Sequence, residues 1–173
     1  MRRVSVWFRT YGFAEIGRRL LIGAYPLDAE DVSMLAWMRV DRILNLAEDS
    51  EYEPEQREAV REALTEAGIE EARLPLVDFG GLPAERIEQA VAIVSQWLDA
   101  GAQVYVHCRA GWQRSAAIGA AVLAVREGLE LHRALETVQA QKPSAQPLER
   151  QLHDLQRWWA QRPSASADAR GSA

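Results

Sequence analysis

Cysteine is nearly absent. The chain of 173 residues carries Cys108 and no other, so no intramolecular disulfide can form, and the thiol is either inert packing or chemistry. Histidine is scarce as well: His107, His132 and His153 show none of the spacings that hold zinc, so neither a metal nor another cofactor is expected. Long apolar runs are missing. Arg9 interrupts the apolar start MRRVSVWFRTYG after a few positions, so neither a membrane span nor a secretory leader is expected, and the expected compartment is the cytoplasm. A basic surplus is missing too. With a formal net charge of −5, the chain lacks the basic footprint of a non-specific nucleic-acid binder, and no nucleic-acid partner is expected. Any anion must be held by a local pocket.

What is present is the balance of a globular domain, 48% apolar and 26% charged residues. Its length favours one domain. The expectation is a single catalytic domain over 1–162, acting as a monomer, and a disordered tail over 163–173, whose small polar residues (PSASADARGSA) bury too little surface to order themselves. Within the domain, Arg19 to Ile22, Arg42 to Leu46, Ala72 to Leu76 and Val104 to His107 read as strands. Helix-period segments run between and after them: Ala29 to Met38, Glu55 to Ala67 ended by Gly68, a helix opened by Pro83 and stopped at Gly101, then Ser115 to Glu127, Leu131 to Gln141 and Leu148 to Gln161. This alternation predicts a three-layer α/β fold, with a central, mostly parallel sheet of four or five strands flanked by helices.

The informative stretch is Val104-Tyr-Val-His-Cys-Arg-Ala-Gly-Trp-Gln-Arg-Ser115, a buried strand that runs through a loop into a helix. Backbone N–H groups of such a loop (Arg109, Ala110, Gly111, Trp112, Gln113) and the positive end of the following helix converge on one point, which a phosphate would fill. Cys108 sits at that point, where an electropositive cradle favours the nucleophilic thiolate. Arg114 supplies a fork for two phosphate oxygens and neutralises charge in the transition state. Ser115 can donate its hydroxyl to the sulfur and stabilise it as a leaving group. By composition alone, His107, Gly111, Arg114 and Ser115 at these offsets from the one cysteine would coincide about six times in a million, so a chance motif is a poor explanation.

The stretch HCRAGWQRS resembles the His-Cys-x5-Arg-Ser signature of the cysteine-dependent protein tyrosine phosphatase superfamily, in the form of its dual-specificity branch. Upstream, Leu20-Leu-Ile-Gly-Ala-Tyr-Pro26 and Ile43-Leu-Asn-Leu46 resemble the family's opening strands, and Ala134 to Pro143 with Gln151-Leu152 its closing helices. Leu21-Ile-Gly-Ala-Tyr-Pro-Leu27, Glu51-Tyr52-Glu53 and Val104 to Cys108 are most similar to the mitochondrial-type phosphatidylglycerophosphate phosphatase group. One departure is Gln113, where many relatives carry Gly. The resemblance implies a metal-free phosphomonoester hydrolase working through phosphocysteine, with His107 in support. It also implies a proton donor on a loop some 30 residues before the cysteine. Asp78 fits, and it follows a strand directly, where open α/β sheets present their ligands.

Other readings stay open at this point. Asp78 is alternatively a turn or capping residue before Gly80-Gly81. Arg109 adds charge at the pocket rim and Trp112 forms a wall for substrate, or both belong to ordinary solvated loop. The acidic stretch Glu48 to Glu55 either orients an arginine of the motif or is a solvated helix start, the latter being the usual case. The N-terminus, with Arg2, Arg3, Arg9, Arg18 and Arg19 around Val4, Val6, Trp7, Phe8 and Phe13, either touches an anionic membrane surface or packs its aromatics on the domain. The substrate is a phosphorylated protein or a phospholipid head group such as phosphatidylglycerophosphate or a phosphoinositide. A function of another class is an inactive module that only binds phosphorylated ligands with the same loop; such members commonly lose the Cys, Arg or Asp, and all three are present.

Overall fold

Three strands carry two alternating sets of apolar side chains. Along β2 (Leu20–Gly23), β3 (Arg42–Asn45) and β5 (Val104–His107), Leu20, Ile22, Leu44, Val104 and Val106 join one buried cluster, while Leu21, Ile43 and Tyr105 join another. A sheet apolar on both faces needs cover on both. The structure, a computed structural model, describes residues 3–163 and shows that cover. The helices α4 (Ala84–Asp99), α5 (Arg114–Glu127), α6 (Leu131–Gln141) and α7 (Glu149–Gln161) bury their apolar sides in the first cluster. The second is closed by α1 (Val6–Tyr11), α2 (Ala29–Trp37) and α3 (Pro54–Ala67). The sheet has the order β1-β2-β5-β3-β4, with β1 (Phe13–Gly17) antiparallel to β2 and the other neighbours, including β4 (Glu70–Arg73), parallel.

The centre of the fold is the β5–α5 unit. All four residues of β5 are buried, and α5 is buried from Arg114 to Ala124 because its run of Ala and Gly lets neighbours come close on every side. At Gly119 a Cβ would lie 2.7 Å from Ile16 Cδ1 and 2.9 Å from Ile22 Cγ2, so β1 and β2 pack directly against the helix backbone. The loop between β5 and α5 is thereby fixed at both ends by the most deeply buried elements of the chain.

The three-layer, mostly parallel sheet agrees with the expectation, and three local features differ from it. The helix α1, capped by Ser5 Oγ accepting from Phe8 N at 3.0 Å, is too short for periodicity to reveal. The edge strand β1 buries only Ile16, so its pattern is weak. The fourth strand lies at Glu70–Arg73 rather than at Ala72 to Leu76. As an edge strand it pairs through charged residues, while Leu74 and Leu76 extend the pairing by single bonds to Asn45 O (2.9 Å) and Leu46 O (3.0 Å) on either side of Pro75, which has no N–H to give. Among the described residues no helix is long and apolar enough to cross a membrane. The expected tail, beyond Pro163, lies outside the described residues.

Candidate active site

Strand β5 ends at the carboxyl edge of the sheet and delivers Cys108, 3% exposed, into the loop that leads to α5. Neighbours hold this loop by its carbonyls. Arg109 O accepts from Tyr25 N (3.0 Å), Trp112 O from Gln146 N (2.7 Å) and Gln113 O from Ala117 N (2.9 Å). Among the described residues, none of the N–H groups of residues 109–113 has a protein acceptor. Outward carbonyls and free amides, with the N-terminus of α5 behind them, make an anion cradle. Gly111 permits the turn: its φ is +73°, and a Cβ there would lie 2.4 Å from Gly23 C. Ser115, fully buried in the first turn of α5, places Oγ 3.4 Å from Cys108 Sγ.

Arg114 is the largest of the fully buried side chains, 1% exposed. Its two terminal nitrogens donate to Glu51, Nη1 to Oε2 at 2.8 Å and Nη2 to Oε1 at 2.6 Å. Nη1 also donates to Leu76 O at 3.0 Å, and Nη2 lies 3.0 Å from Asp78 Oδ1. Burial works against the guanidinium charge, but the bonds to Glu51, with Cys108 and Asp78 adding attraction, more than restore it and hold its pKa above the ordinary arginine value. For Glu51 the balance is the mirror image. Burial pushes its carboxyl up, and Arg114 together with the Glu48 N–H pulls it below the usual carboxylate range. The acidic stretch is therefore not a solvated helix start at this residue. A 3-10 turn over Asp49–Glu51, closed by Glu48 N donating to Glu51 Oε2 (2.6 Å), aims the carboxylate inward at a buried cation that needs it.

The structure thus brings Cys108, Arg114, Ser115 and Asp78 into one place. Asp78 sits on the loop after β4, its N–H donating to Glu48 Oε2 (3.1 Å) and its side chain 29% exposed. The remaining residues take distinct positions. His107 is buried under the cradle, and its Nδ1 donates to Cys108 O at 3.0 Å. Burial drives its pKa down to about 4, against the pull of Glu71. Arg109 lies over the Trp7 ring, 5.8 Å from its centroid, and Trp112, 43% exposed, stands 5.2 Å from the Tyr11 ring. Ala110 and Gln113 are half-buried beside them. The N-terminal aromatics pack on the domain, with Phe8 in the core and Trp7 against Tyr11 and Tyr25.

Sequence reasoning missed Lys142. The one lysine of the chain is 5% exposed, with Nζ donating to Tyr11 O (3.0 Å) and Ser144 Oγ (2.6 Å). Burial lowers its pKa, and Cys108 acts in the opposite direction. Its rarity was the available signal. Among the described residues, no group of three or more His, Cys, Asp or Glu side chains is placed to hold a metal ion.

Residues 21–161 match the family model of the dual specificity phosphatase catalytic domain. Phosphatidylglycerophosphatase and protein-tyrosine phosphatase 1 of Homo sapiens is 30% identical over 112 residues, 64% of this chain and 55% of that protein. The protein of the same name from Mus musculus is 31% identical over 112 residues, 64% of this chain and 57% of that protein. The chain spans just over half the length of these curated relatives. Among solved structures, PTPMT1 in complex with PI(5)P superposes with a TM-score of 0.73 at 26% identity, covering 84% of this chain and 93% of that one. Tk-PTP in its active form shares the fold, with a TM-score of 0.74 at 24% identity over 87% of this chain and 97% of that one.

Proposed function

The chain belongs to the dual specificity phosphatase catalytic-domain family, and from that premise we propose that it is a metal-free phosphomonoester hydrolase acting through a phosphocysteine intermediate. The observation that carries the reading is the convergence of a Glu51-fixed Arg114 fork, the Asp78 carboxyl 3.0 Å from that fork, and Cys108 under a loop of free amides. A substrate phosphate enters the cradle, takes the loop N–H groups and Arg114 as partners, and displaces Asp78 from the guanidinium. The Cys108 thiolate attacks phosphorus, the bond to the leaving oxygen breaks, and Asp78 gives that oxygen its proton. In the second step the Asp78 carboxylate takes a proton from water, the water oxygen attacks phosphorus, and the S–P bond breaks. The departing thiolate is received by the Ser115 hydroxyl, and inorganic phosphate is released.

The test is hydrolysis of 4-nitrophenyl phosphate in the presence of a chelator. Turnover is expected to persist with chelator and to vanish in Cys108→Ser, whose melting temperature stays near that of the parent. Activity in Cys108→Ser, or loss of activity to the chelator, overturns the reading.

A phospholipid head group is the substrate class best supported among phosphomonoesters. Of the five large apolar side chains that stand out as exposed among the described residues, Val77 (61%), Phe79 (64%) and Trp112 lie on the loops that carry Asp78 and Cys108. An apolar rim around an anion cradle suits a phosphate joined to acyl chains at a water–lipid boundary. The two curated relatives carry a lipid phosphatase activity in their names, and PTPMT1 was solved with a phosphoinositide. Comparing kcat/KM for phosphatidylglycerophosphate in mixed micelles with that for a phosphotyrosine peptide decides the matter. A higher value for the peptide, unaffected by Phe79→Ser, removes the lipid reading.

A further inference from the structure

The loop from Val77 to Pro83 lies in the connection between β4 and α4. Its ends are anchored by Leu76 and Leu82, both buried, but Val77 and Phe79 between them are turned to solvent. Beneath the loop lies a cleft of about 850 Å³ lined by Pro75, Val77, Leu82, Pro83, Arg86 and Arg157 among others. Packing therefore does not fix the middle of the loop, and its shape is an unfavourable one. Phe79 adopts a φ of +55°, a left-handed conformation that a bulky residue keeps only where its surroundings impose it.

Two local bonds accompany it, Gly80 N donating to Val77 O at 2.9 Å and Phe79 N to Asp78 Oδ1 at 3.1 Å, and helix α7 holds the residues that follow. Gln151, fully buried, donates from Nε2 to Gly80 O at 3.1 Å, while its Oε1 accepts from Leu148 N at 3.0 Å, so its amide is locked in one orientation. One turn later, Asp154 Oδ2 accepts from Leu82 N at 2.7 Å. The fit is close, since a Cβ on Gly81 would lie 2.7 Å from the same Oδ2. On the opposite side the loop is held by Glu48 Oε2, which accepts from Asp78 N, and by the contact of Asp78 with Arg114. The last of these must be given up when phosphate arrives, which leaves the backbone bonds to hold the carboxyl in place.

We propose that Gln151 and Asp154 are positioning residues for the proton donor: by binding Gly80 O and Leu82 N from α7, they fix the loop that presents Asp78 to the leaving group. The proposal rests on the reading of Asp78 as the acid. It assigns a functional task to a helix that contributes no group to the cradle. A proton donor works only within hydrogen-bond reach of the oxygen it protonates, and a loop free to swing over the cleft spends less time there.

Leaving-group dependence separates positioning of an acid from general damage. Phenyl phosphate, whose phenoxide leaves poorly, needs the proton; 4-nitrophenyl phosphate, with a stabilised phenoxide, needs it far less. Asp78→Asn serves as the reference variant, alongside Gln151→Leu, Asp154→Ala and Asp154→Asn. In Gln151→Leu and Asp154→Ala, kcat for phenyl phosphate is expected to fall roughly tenfold or more, a part of the ~10²–10⁴ that a positioned acid contributes, with 4-nitrophenyl phosphate changed by less than about threefold. Asp154→Asn, which keeps an acceptor oxygen, is expected to restore most of the phenyl phosphate rate. Equal losses on both substrates, or no loss on either, overturn the proposal while leaving Asp78 as the acid. If Asp78→Asn itself shows no leaving-group dependence, the acid reading falls, and this proposal with it. Should Gln151→Leu fail to fold, the Asp154 pair decides alone.

Discussion

Glu51 and Arg114, 63 positions apart, meet as a two-pronged ion pair with donor–acceptor distances of 2.8 and 2.6 Å. Both side chains are almost completely shielded from solvent, at 6% and 2% exposure. An arginine side chain has several rotatable bonds, so a cation meant to grip phosphate loses its advantage unless something else fixes it first. Glu51 does so through the two terminal nitrogens, leaving Nε as a buried donor with no protein partner among the described residues. Glu51→Gln keeps the size and removes the charge. It is expected to lower kcat/KM for an aryl phosphate by about 100-fold, the scale of a displaced catalytic group. It should also destabilise the fold by an amount toward the low end of the ~3–5 kcal/mol measured for broken buried pairs, because Asp78 and Leu76 O still face the guanidinium. Steady-state kinetics and a denaturant titration check both. An unaltered kcat/KM would mean that Arg114 is held without Glu51.

Ser115 is placed to act on the second chemical step rather than the first. Its Oγ, 3.4 Å from Cys108 Sγ, can donate to the sulfur as the S–P bond breaks. Ser115→Ala is therefore expected to slow hydrolysis of phosphocysteine about tenfold or more while kcat/KM, which reports formation of the intermediate, changes less. Rapid mixing with 4-nitrophenyl phosphate should reveal a burst of nitrophenol near one equivalent per enzyme. Equal falls in kcat and kcat/KM with no burst would place Ser115 outside that step.

Legibility in the sequence followed the range of the interactions. Cys108, Arg114 and Ser115 lie within eight consecutive residues, and the buried strand and small-residue helix that position them are local patterns. The core strands β2, β3 and β5 were readable for the same reason, since apolar cover on both faces shows in the chain itself. Glu51 was not settled. EDSEYEPE has the composition of a solvated helix start, and only contact with a cation 63 positions later in the chain turns one of its carboxylates inward. Lys142 and Gln151 were hidden similarly, each taking its partner, Tyr11 O or Gly80 O, more than 70 positions away. The edge elements failed for a different cause: β4 pairs through Glu70, Glu71 and Arg73, so its strand carries no apolar signal.

Two glycines with similar backbone angles should respond differently to alanine. Gly111 and Gly128 have φ of +73° and +63°, but a Cβ at Gly111 would meet Gly23 C at 2.4 Å and Ala24 N at 2.8 Å, whereas at Gly128 nothing lies within 4 Å. Gly128→Ala should cost only the left-handed conformation, about 1–2 kcal/mol, and keep activity. Gly111→Ala adds a collision of backbone with backbone, and it is expected to cost roughly 3 kcal/mol or more and to abolish turnover by opening the amide cradle. Denaturant midpoints and aryl phosphate turnover measured on the pair test this. Similar costs in both would show that the cradle gives way without consequence.

The buried His107 sets a pH window for stability. Its Nδ1 donates to Cys108 O, its Nε2 is buried without a partner among the described residues, and burial lowers its pKa from 6.5 to about 4. Between those two values the unfolded chain binds a proton that the folded chain does not, so stability rises with pH there. Acidification from pH 6.5 withdraws stability progressively, up to about 3 kcal/mol in the limit below pH 4. The carboxylates act lower. Glu51 and Glu71, whose burial is outweighed by hydrogen bonds from Arg114 and Arg57, have pKa values below their ordinary 4.5, and their contribution is lost only as pH falls through those values. The interval from 6.5 to 4.5 lies above both, and there the loss from His107 works against Asp31, whose carboxyl burial raises above its ordinary value so that it gains stability as pH falls. The melting temperature should fall across it by about 5–10 °C. His107→Asn, which retains a side-chain N–H for Cys108 O and does not titrate, should flatten the curve in that interval. An equally steep fall in the variant would assign the window to another group.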